Sequence, residues 1–322
     1  MIAYAARRLL ISLPVVLLAS LLTFWAVRVA FDPLSKLRQS QDPGVVERET
    51  ERLGLDRSIP EQYLLWLKGL VTGDWGVSTR TGGDVMTMIG AAAWPTLQLL
   101  LWGVLIGAFI ALVVGTYSAV RQYSVADYTL TGASYLGIAL PSFWFGLLLI
   151  QIFGVWPVQA FGLSEPPLFF VGLHSIGSSG LNLDYVRHLV LPIATLTITL
   201  VASWSRFGRA SMLDTLSSDY VRTARAKGVP RRQIVLRHAL RNSLAPFVTV
   251  VLLDAGLLFG GLVVTEQIFS VPGMGKLLLD SLLAGDVYVL LPWMMLVALA
   301  VVVFNLLADL SYAFLDPRVR LA

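Results

Sequence analysis

The part of this 322-residue sequence best equipped for chemistry is a basic stretch at residues 217–246, SSDYVRTARAKGVPRRQIVLRHALRNSLAP. Ser218 or Asp219 can cap a short helix at its start, and Gly228 favours a stop a few turns later. The proline two residues beyond that glycine can open a second helix, which runs to about Asn242. The pattern predicts two helices joined by a tight bend.

A step of small residues, Thr223–Ala224, lies in the middle of the first basic helix. Small side chains let the backbone of another protein approach closely, and neighbouring arginines can pair with its carboxylates or carbonyl oxygens. These residue types predict a site that binds a protein partner. A solvated basic loop that needs no partner is the alternative interpretation. A helix-turn-helix for nucleic acid is excluded, because the loop is too short for a folded module.

Asp254 is the one charge near the middle of a long uncharged run. A carboxylate there costs about 2.5–3.5 kcal/mol on insertion scales, so it should face a pore or another helix rather than lipid. Two interpretations remain open. The side chain is either a possible pore-lining group that meets a substrate amine, or a carboxyl paired with a neighbouring Ser, Thr or Arg.

The sequence lacks the motifs of several common catalytic sites. It has no G-x-x-x-x-G-K-[ST] phosphate loop, no H-E-x-x-H and no G-x-S-x-G. No carboxylate or cysteine is expected at ligand spacing from His174 or His188, which predicts solvated or locally hydrogen-bonded histidines rather than a metal site. The absence of cysteine also excludes disulfides and cysteine-based redox chemistry.

The composition is that of a chain whose solvent is the lipid bilayer. Apolar residues make up 56 % of it and charged residues 14 %, with a mean hydropathy of +0.74, whereas soluble proteins have roughly 25 % charged residues. A spanning helix needs about 20 apolar residues. The long apolar runs are Leu9–Val27, Leu99–Val120, Leu130 to about Val155, Leu189–Ser205, Ser243–Thr265 and Val287–Ala308. The sequence therefore predicts an all-α integral membrane protein with six transmembrane helices.

The distribution of Arg and Lys predicts which side of the membrane each loop occupies. Between Arg206 and Arg241 there are nine basic residues and only two acidic ones, and cytoplasmic loops carry such an excess. An even number of crossings puts both termini on one side, and the loop after the fourth crossing shares that side. A multi-pass protein of the cell membrane with both termini cytoplasmic is therefore predicted.

Three regions follow from these spans. Residues 1–29 hold the N-terminus and first transmembrane helix, residues 30–94 form an exterior segment, and residues 95–322 form a five-helix core with a cytoplasmic loop at 206–242. Within the exterior segment, helices are predicted at 45–55 and 60–71, as a cap on the bundle or as a docking surface for an external partner. A second exterior stretch, 157–187, is predicted to be irregular.

The basic stretch resembles the cytoplasmic EAA signature of binding-protein-dependent ABC permeases. Set on Gly228, the signature falls on Arg222, Thr223 and Ala224, so its Glu and first Ala are absent. The wording DYVRTARAKG and RHALRN is similar to that of the dipeptide, oligopeptide and nickel permease subfamily. Further similar motifs are YAARRLLISLP near the N-terminus, LGLDRSIPEQYLLWLKGLVTGDWGVS, EQIFSVPGMG and NLLADLSYAFLDPR. The chain resembles the B-type subunit, as in oligopeptide permease B.

The resemblance implies a fold like that of type I ABC importer permeases and a non-catalytic subunit of an ATP-driven importer. Such a subunit moves oligopeptides, dipeptides or similar small solutes into the cytoplasm. Its short helix at 218–228 couples it to a separate ATPase. The residues that match this coupling segment are Asp219, Tyr220, Arg222, Thr223, Ala224, Arg225, Lys227 and Gly228.

The resemblance also implies the rest of the assembly. Partners are a second homologous permease in a heterodimer, two ABC ATPases and an extracytoplasmic solute-binding protein, with the chain in the bilayer and no nucleic acid bound. ATP and Mg²⁺ belong to the ATPases, and no cofactor is expected in this chain. An ion-gradient-driven secondary transporter and an intramembrane hydrolase are the alternatives. The substrate stays open among peptides, nickel complexes, haem, glutathione-like molecules and sugars.

Overall fold

The computed structural model describes residues 2–32, 34, 43–52 and 54–315. Within these ranges the regular elements are helices, apart from one isolated bridge between Val77 and Asp84. The helices are α1 (Ile2–Ala30), α2 (Pro43–Arg52), α3 (Ile59–Thr72), α4 (Val85–Val120), α5 (Val125–Ala139), α6 (Ser142–Leu149), α7 (Trp156–Phe161), α8 (Leu183–Leu216), α9 (Asp219–Ala226), α10 (Arg231–Gln233), α11 (Leu240–Gly261), α12 (Val263–Ile268), α13 (Met274–Ala284) and α14 (Val287–Leu315). π-Helical turns join α6 to α7 at Ile150–Val155 and α10 to α11 at Ile234–Ala239.

Six of the described helical stretches are long and apolar enough to cross a membrane, which confirms the predicted number. These stretches are Ala5–Ala30, Val85–Val120, Ser142–Phe161, Leu183–Leu216, Arg231–Gly260 and Val287–Tyr312. The first, second, fourth and sixth overlap the predicted runs throughout. Residues 35–42 of the predicted exterior segment and the C-terminal residues 316–322 lie outside the described part of the chain.

The predicted third span is wrong in its boundaries. The chain breaks at Leu140–Pro141, where Leu140 adopts an extended conformation with ψ of 135°. Proline has no N–H and disfavours a helical residue before it, so α5 ends there. The stretch that can span begins at Ser142 and reaches Phe161. Helix α5 therefore precedes the third spanning helix.

The core of the bundle is the long contact between α4 and α8. Gly103 and Gly107 of α4 let α8 approach closely, because a Cβ atom at Gly103 would lie 2.4 Å from Cδ2 of Leu196. Trp204 of α8 is fully buried in the same interface. Helix α14 packs against α11 on one side and α1 on another. Arg8 of α1 and Asp309 of α14 form an ion pair of 3.0 Å near one end of their contact.

The predicted exterior segment contains both expected helices, α2 and α3. Gly73 ends α3 in the left-handed conformation, with φ of +84°. The chain then returns to the bundle, where buried Asp286 accepts hydrogen bonds from Ser78 Oγ at 2.5 Å and from the main-chain N–H of Thr79 at 3.3 Å. A buried carboxylate before α14 thus anchors this segment to the core.

The second stretch predicted to be exterior is irregular only in part, since α7 covers Trp156–Phe161 and α8 begins at Leu183. The prediction that no carboxylate lies at ligand spacing from its histidines is wrong, whereas the prediction of a locally hydrogen-bonded histidine is confirmed for His188. Nδ1 atoms of His174 and His188 lie 3.7 and 3.8 Å from the carboxylate of Asp184, and His188 Nδ1 lies 2.8 Å from the Asp184 carbonyl oxygen. Asp184 precedes His188 by one helical turn. Among the described residues, no group of three or more His, Cys, Asp or Glu side chains could hold a metal ion.

Candidate functional site

The basic stretch forms the predicted short helix, α9. Ser218 occupies the N-cap position in an extended conformation, with φ of −67° and ψ of 153°. Val221 is fully buried and attaches α9 to the bundle. The other side chains of the helix are exposed, except that of Ala224, which is half-buried.

The eight residues predicted to contact a partner lie on α9 and in the bend that follows it. Seven of them are exposed and Ala224 is half-buried. Arg222 pairs with Asp219 at 2.9 Å, but their side chains are 72 % and 91 % exposed. Such a pair contributes little to stability, so both groups remain available to a partner. The surface positions are Asp219, Tyr220, Arg222, Thr223, Ala224, Arg225, Lys227 and Gly228.

A sharp bend follows α9 at Gly228, which has φ of +76°. The N–H of Val229 donates to the carbonyl oxygen of Ala224 at 3.2 Å, which closes the last turn. A Cβ atom at Gly228 would meet no heavy atom within 4 Å. The position therefore favours glycine for its backbone conformation, and lack of space plays no part.

The predicted second helix is wrong as a separate element. Helix α10, the π-helical turn Ile234–Ala239 and α11 form one continuous helical stretch, Arg231–Gly260, that is long enough to span the membrane. The helix continues past Asn242 into α11, and Pro246 lies inside it. The bend at Gly228 therefore leads directly into the fifth spanning helix.

Three side-chain contacts tie α9 and the bend to the spanning helices. Arg225 Nη2 donates to the carbonyl oxygen of Leu216 at 3.4 Å, and Arg231 Nη2 donates to that of Val120 at 2.7 Å. Both acceptors lie at helix C-termini, of α8 and α4, where cations are favoured. Asn242 Nδ2 of α11 donates to Tyr220 Oη at 2.8 Å. A cavity of about 750 Å³ remains between these contacts.

The turn between α4 and α5 is held to α8 by a buried ion pair that the sequence did not reveal. Arg209 Nε and Nη2 each donate to Asp127 at 2.8 Å, and the Asp127 side chain is 3 % exposed. Ser118 Oγ and the N–H of Tyr123 also donate to this carboxylate. The hydrogen bonds from Arg209 hold the pKa of Asp127 well below its usual range, against the opposing effect of burial. Arg209 lies in α8, the helix that precedes α9, so the pair fastens that helix to the turn between α4 and α5.

Asp254 lies in α11, where it accepts a hydrogen bond from Trp204 Nε1 of α8 at 2.7 Å. Its carboxylate is partly buried. Of the two open interpretations, the structure supports a paired carboxyl, although the partner is tryptophan instead of the predicted Ser, Thr or Arg. Contact with a substrate stays a prediction, because the side chain retains some exposure.

Glu266 of α12 is a second carboxylate that sequence reasoning missed. It is fully buried, and it accepts hydrogen bonds from Thr96 Oγ1 at 2.6 Å and from the N–H of Lys276 at 3.0 Å. A Cβ atom at Gly273 would lie 2.4 Å from its carboxyl carbon. The signal available in the sequence was a glutamate followed by closely spaced glycines in EQIFSVPGMG.

A bundle of six long apolar helices, with one basic surface helix fastened to the ends of three of them, defines a membrane permease. Comparison with known proteins identifies the family of this chain. The chain belongs to the family of binding-protein-dependent transport system inner membrane components, whose model matches residues 103–321. This confirms the resemblance drawn from the sequence.

Relatives in this family match over nearly the full length. The chain is 38 % identical over 326 residues to the oligopeptide transport system permease protein AppB of Bacillus subtilis (strain 168), covering 99 % of this chain and 100 % of the relative. It is 34 % identical over 338 residues to the dipeptide transport system permease protein DppB of Escherichia coli (strain K12), covering 99 % of each.

Similarity to solved structures supports the predicted fold. The chain superimposes on an inward-facing form of the MetNI methionine ABC transporter with a TM-score of 0.55, covering 72 % of this chain and 97 % of that one. The identity is 17 %, so this match concerns the fold alone. The comparisons give no support to the ion-gradient-driven alternative.

Proposed function

We propose that this chain is the transmembrane permease subunit of an ATP-binding-cassette importer for oligopeptides or dipeptides. The names of its relatives, an oligopeptide and a dipeptide permease, support the substrate class. In this proposal the chain itself is non-catalytic and holds no cofactor. ATP is hydrolysed, with Mg²⁺, by separate subunits.

The observation that carries the proposal is the way α9 is attached to the bundle. Its outer face is polar and exposed, while Arg225, Arg231 and Tyr220 connect the segment to α8, α4 and α11. A rigid surface helix fastened to three spanning helices can transmit the movement of an attached ATPase into the membrane. The basic side chains Arg222 and Lys227 then meet carboxylates or carbonyl oxygens of that subunit.

The remaining partners follow from the same proposal. A second, homologous permease completes the pore, two ABC ATPases bind on the cytoplasmic side, and an extracytoplasmic solute-binding protein delivers the peptide. The exterior segment 30–94 is the proposed contact for that protein. Both termini and the 206–242 loop are cytoplasmic in this arrangement, as the excess of basic residues favours. Asp254 is the proposed group that meets a substrate amine in the core formed by 95–322.

Transport by the purified assembly tests the proposal. The chain, expressed with the genes that adjoin its own, is reconstituted into liposomes with the binding protein outside and ATP inside, and uptake of radiolabelled di- and oligopeptides is measured. We expect uptake that requires ATP and the binding protein and survives a protonophore. Uptake driven by an ion gradient without ATP would overturn the proposal. Purification of the chain in gentle detergent with no bound ATPase would overturn it as well.

A further inference from the structure

A cavity lies where α1, α3 and α14 meet, apart from the basic site and from the α4–α8 core. Its volume is about 270 Å³, just below the roughly 300–1,000 Å³ of typical small-molecule pockets. It therefore suits a small polar group better than a peptide. We call it the outer cavity, and its wall includes Arg28, Gln62, Trp66, Asp74, Trp75 and Tyr288.

The wall is shaped by close contacts between the helices. Phe24 of α1 packs against Trp66 of α3 with ring centroids 5.6 Å apart. Trp75 Nε1 donates to the carbonyl oxygen of Leu70 at 3.1 Å, which turns the segment after α3 back towards that helix. Gly76 permits the approach of Tyr288, since a Cβ atom there would lie 3.2 Å from Cδ1 of that ring. Packing contacts and a hydrogen bond thus fix the shape of the cavity wall.

Two opposite charges on this wall have no partner among the described residues. Across the described ranges of the chain, neither the guanidinium of Arg28 nor the carboxylate of Asp74 forms a hydrogen bond or an ion pair. Arg28 is half-buried at the end of a spanning helix. A ligand that carries both a negative and a positive group could pair with Arg28 and Asp74 at the same time.

The position of the cavity indicates where such a ligand comes from. Arg28 lies two residues before the end of α1, and Tyr288 lies in the first turn of α14, so the cavity sits at the end of two spanning helices. Tryptophan and tyrosine rings at this depth mark the level of the lipid headgroups. Arginine near a helix end extends its charge to the same level.

We propose that the outer cavity binds the headgroup of phosphatidylethanolamine. The Arg28 guanidinium receives the phosphate, to which it donates charge-assisted hydrogen bonds. The Asp74 carboxylate accepts hydrogen bonds from the primary ammonium group, and the acyl chains leave beside the apolar surface of α1. A choline headgroup has no N–H to donate, and a glycerol headgroup has no positive charge. Both should bind more weakly.

Native mass spectrometry of the full chain tests this proposal. The protein is purified from membranes with its co-purifying subunits, stripped of lipid in detergent, and offered phosphatidylethanolamine, phosphatidylcholine, phosphatidylglycerol or free phosphoethanolamine at equal concentrations. We expect the first lipid to bind best, and Arg28→Gln and Asp74→Asn each to weaken its binding roughly tenfold, as expected for loss of a hydrogen bond to a charged group.

Lys68→Gln and Asp56→Asn are the matched controls, because both residues are charges of the same exterior segment and neither lines the cavity. They should bind phosphatidylethanolamine as the wild type does. Asp74 is exposed, so Asp74→Asn serves even where Arg28→Gln fails to purify. Equal binding of all three lipids, unchanged binding by the Asp74 variant, or equally strong binding of free phosphoethanolamine would each overturn the proposal.

Discussion

Arg231 donates a hydrogen bond from Nη2 to the carbonyl oxygen of Val120 across 2.7 Å, although 111 residues separate them in the chain. Val120 is the last residue of α4, and Arg231 is the first of the continuous helix that becomes the fifth span. One side chain thus connects the bend after α9 to the C-terminus of the second span. In the proposed mechanism, a movement imposed on α9 reaches both helices through this contact.

Loss of this contact should weaken coupling. Arg231→Ala is expected to lower ATP-driven peptide uptake roughly fivefold, the factor that corresponds to about 1 kcal/mol for an exposed hydrogen bond with a charged donor. ATP hydrolysis by the assembly should persist, because the variant leaves the nucleotide site untouched. Uptake and hydrolysis are measured on the same proteoliposomes.

Arg232→Ala is the control, since Arg232 is also exposed and its side chain has no hydrogen bond within the described part of the chain. It removes the same charge from the same surface. If both variants reduce uptake equally, the net positive charge matters and the contact with Val120 does not.

Gly228 gives a graded prediction, because its requirement is conformational. At φ of +76° a side chain is strained by roughly 1–2 kcal/mol, least for Asn and Asp. Uptake should fall in the order Gly, Asn, Ala, and Gly228→Glu should abolish it by adding a carboxylate to the basic surface. Gly177→Ala, at φ of +83° with similarly open surroundings, should leave uptake unchanged. Uptake by the Gly228 variants equal to that of the wild type would refute the coupling role of the bend.

The ion pair between Asp127 and Arg209 should contribute strongly to stability. Asp127→Asn leaves a half-buried guanidinium without its counter-charge, at a cost of roughly 3–5 kcal/mol. Thermal unfolding of the purified assembly measures it. Asp219→Asn, which breaks an exposed pair, should leave the melting temperature unchanged. A similar drop for both variants would show that burial of the Asp127 pair is unimportant.

The same pair predicts a pH dependence with a defined sign. The pKa of Asp127 is lowered in the folded protein, so the stabilisation is complete above the unfolded value of about 3.9. It is lost as the pH falls through the folded pKa. The melting temperatures of wild type and Asp127→Asn should therefore differ by a constant amount between pH 5 and 8 and converge only in strong acid.

Much of the fold could be predicted from the sequence because its determinants are local. Apolar runs of spanning length and the basic loop after the fourth run indicated the six helices and α9. The break at Pro141 was equally local, but the hydropathy of the flanking residues concealed it.

Most of the missed features depend on residues far apart in the chain. Asp127 and Arg209 are 82 residues apart, Thr96 and Glu266 are 170 apart, and Trp204 and Asp254 are 50 apart. Each looks unremarkable alone, and only the packing of α4, α8, α11 and α12 brings the partners together. The arginine contacts to helix C-termini belong to the same class, since the acceptors are backbone atoms that any residue carries.

Asp254 gives a prediction about selectivity. If its carboxylate meets substrate amines, Asp254→Asn should reduce uptake of cationic peptides several-fold more than uptake of neutral ones. Trp204→Phe removes the hydrogen-bond donor but keeps the carboxylate, so it should preserve the preference. An equal loss for both kinds of peptide would assign Asp254 a structural role only.

Contact between α9 and the ATPase underlies the whole proposed mechanism, and site-directed cross-linking can detect it. The sequence has no cysteine, so Thr223→Cys introduces a single thiol at an exposed position of α9. Leu283→Cys places one at an exposed position of α13 as the control. With a short thiol-to-amine cross-linker in native membranes, we predict that the Thr223→Cys variant joins to an ATPase subunit, with a yield that changes when ATP binds, while the control does not. If the thiol on α9 captures no ATPase in an assembly that still transports, α9 is not the coupling helix.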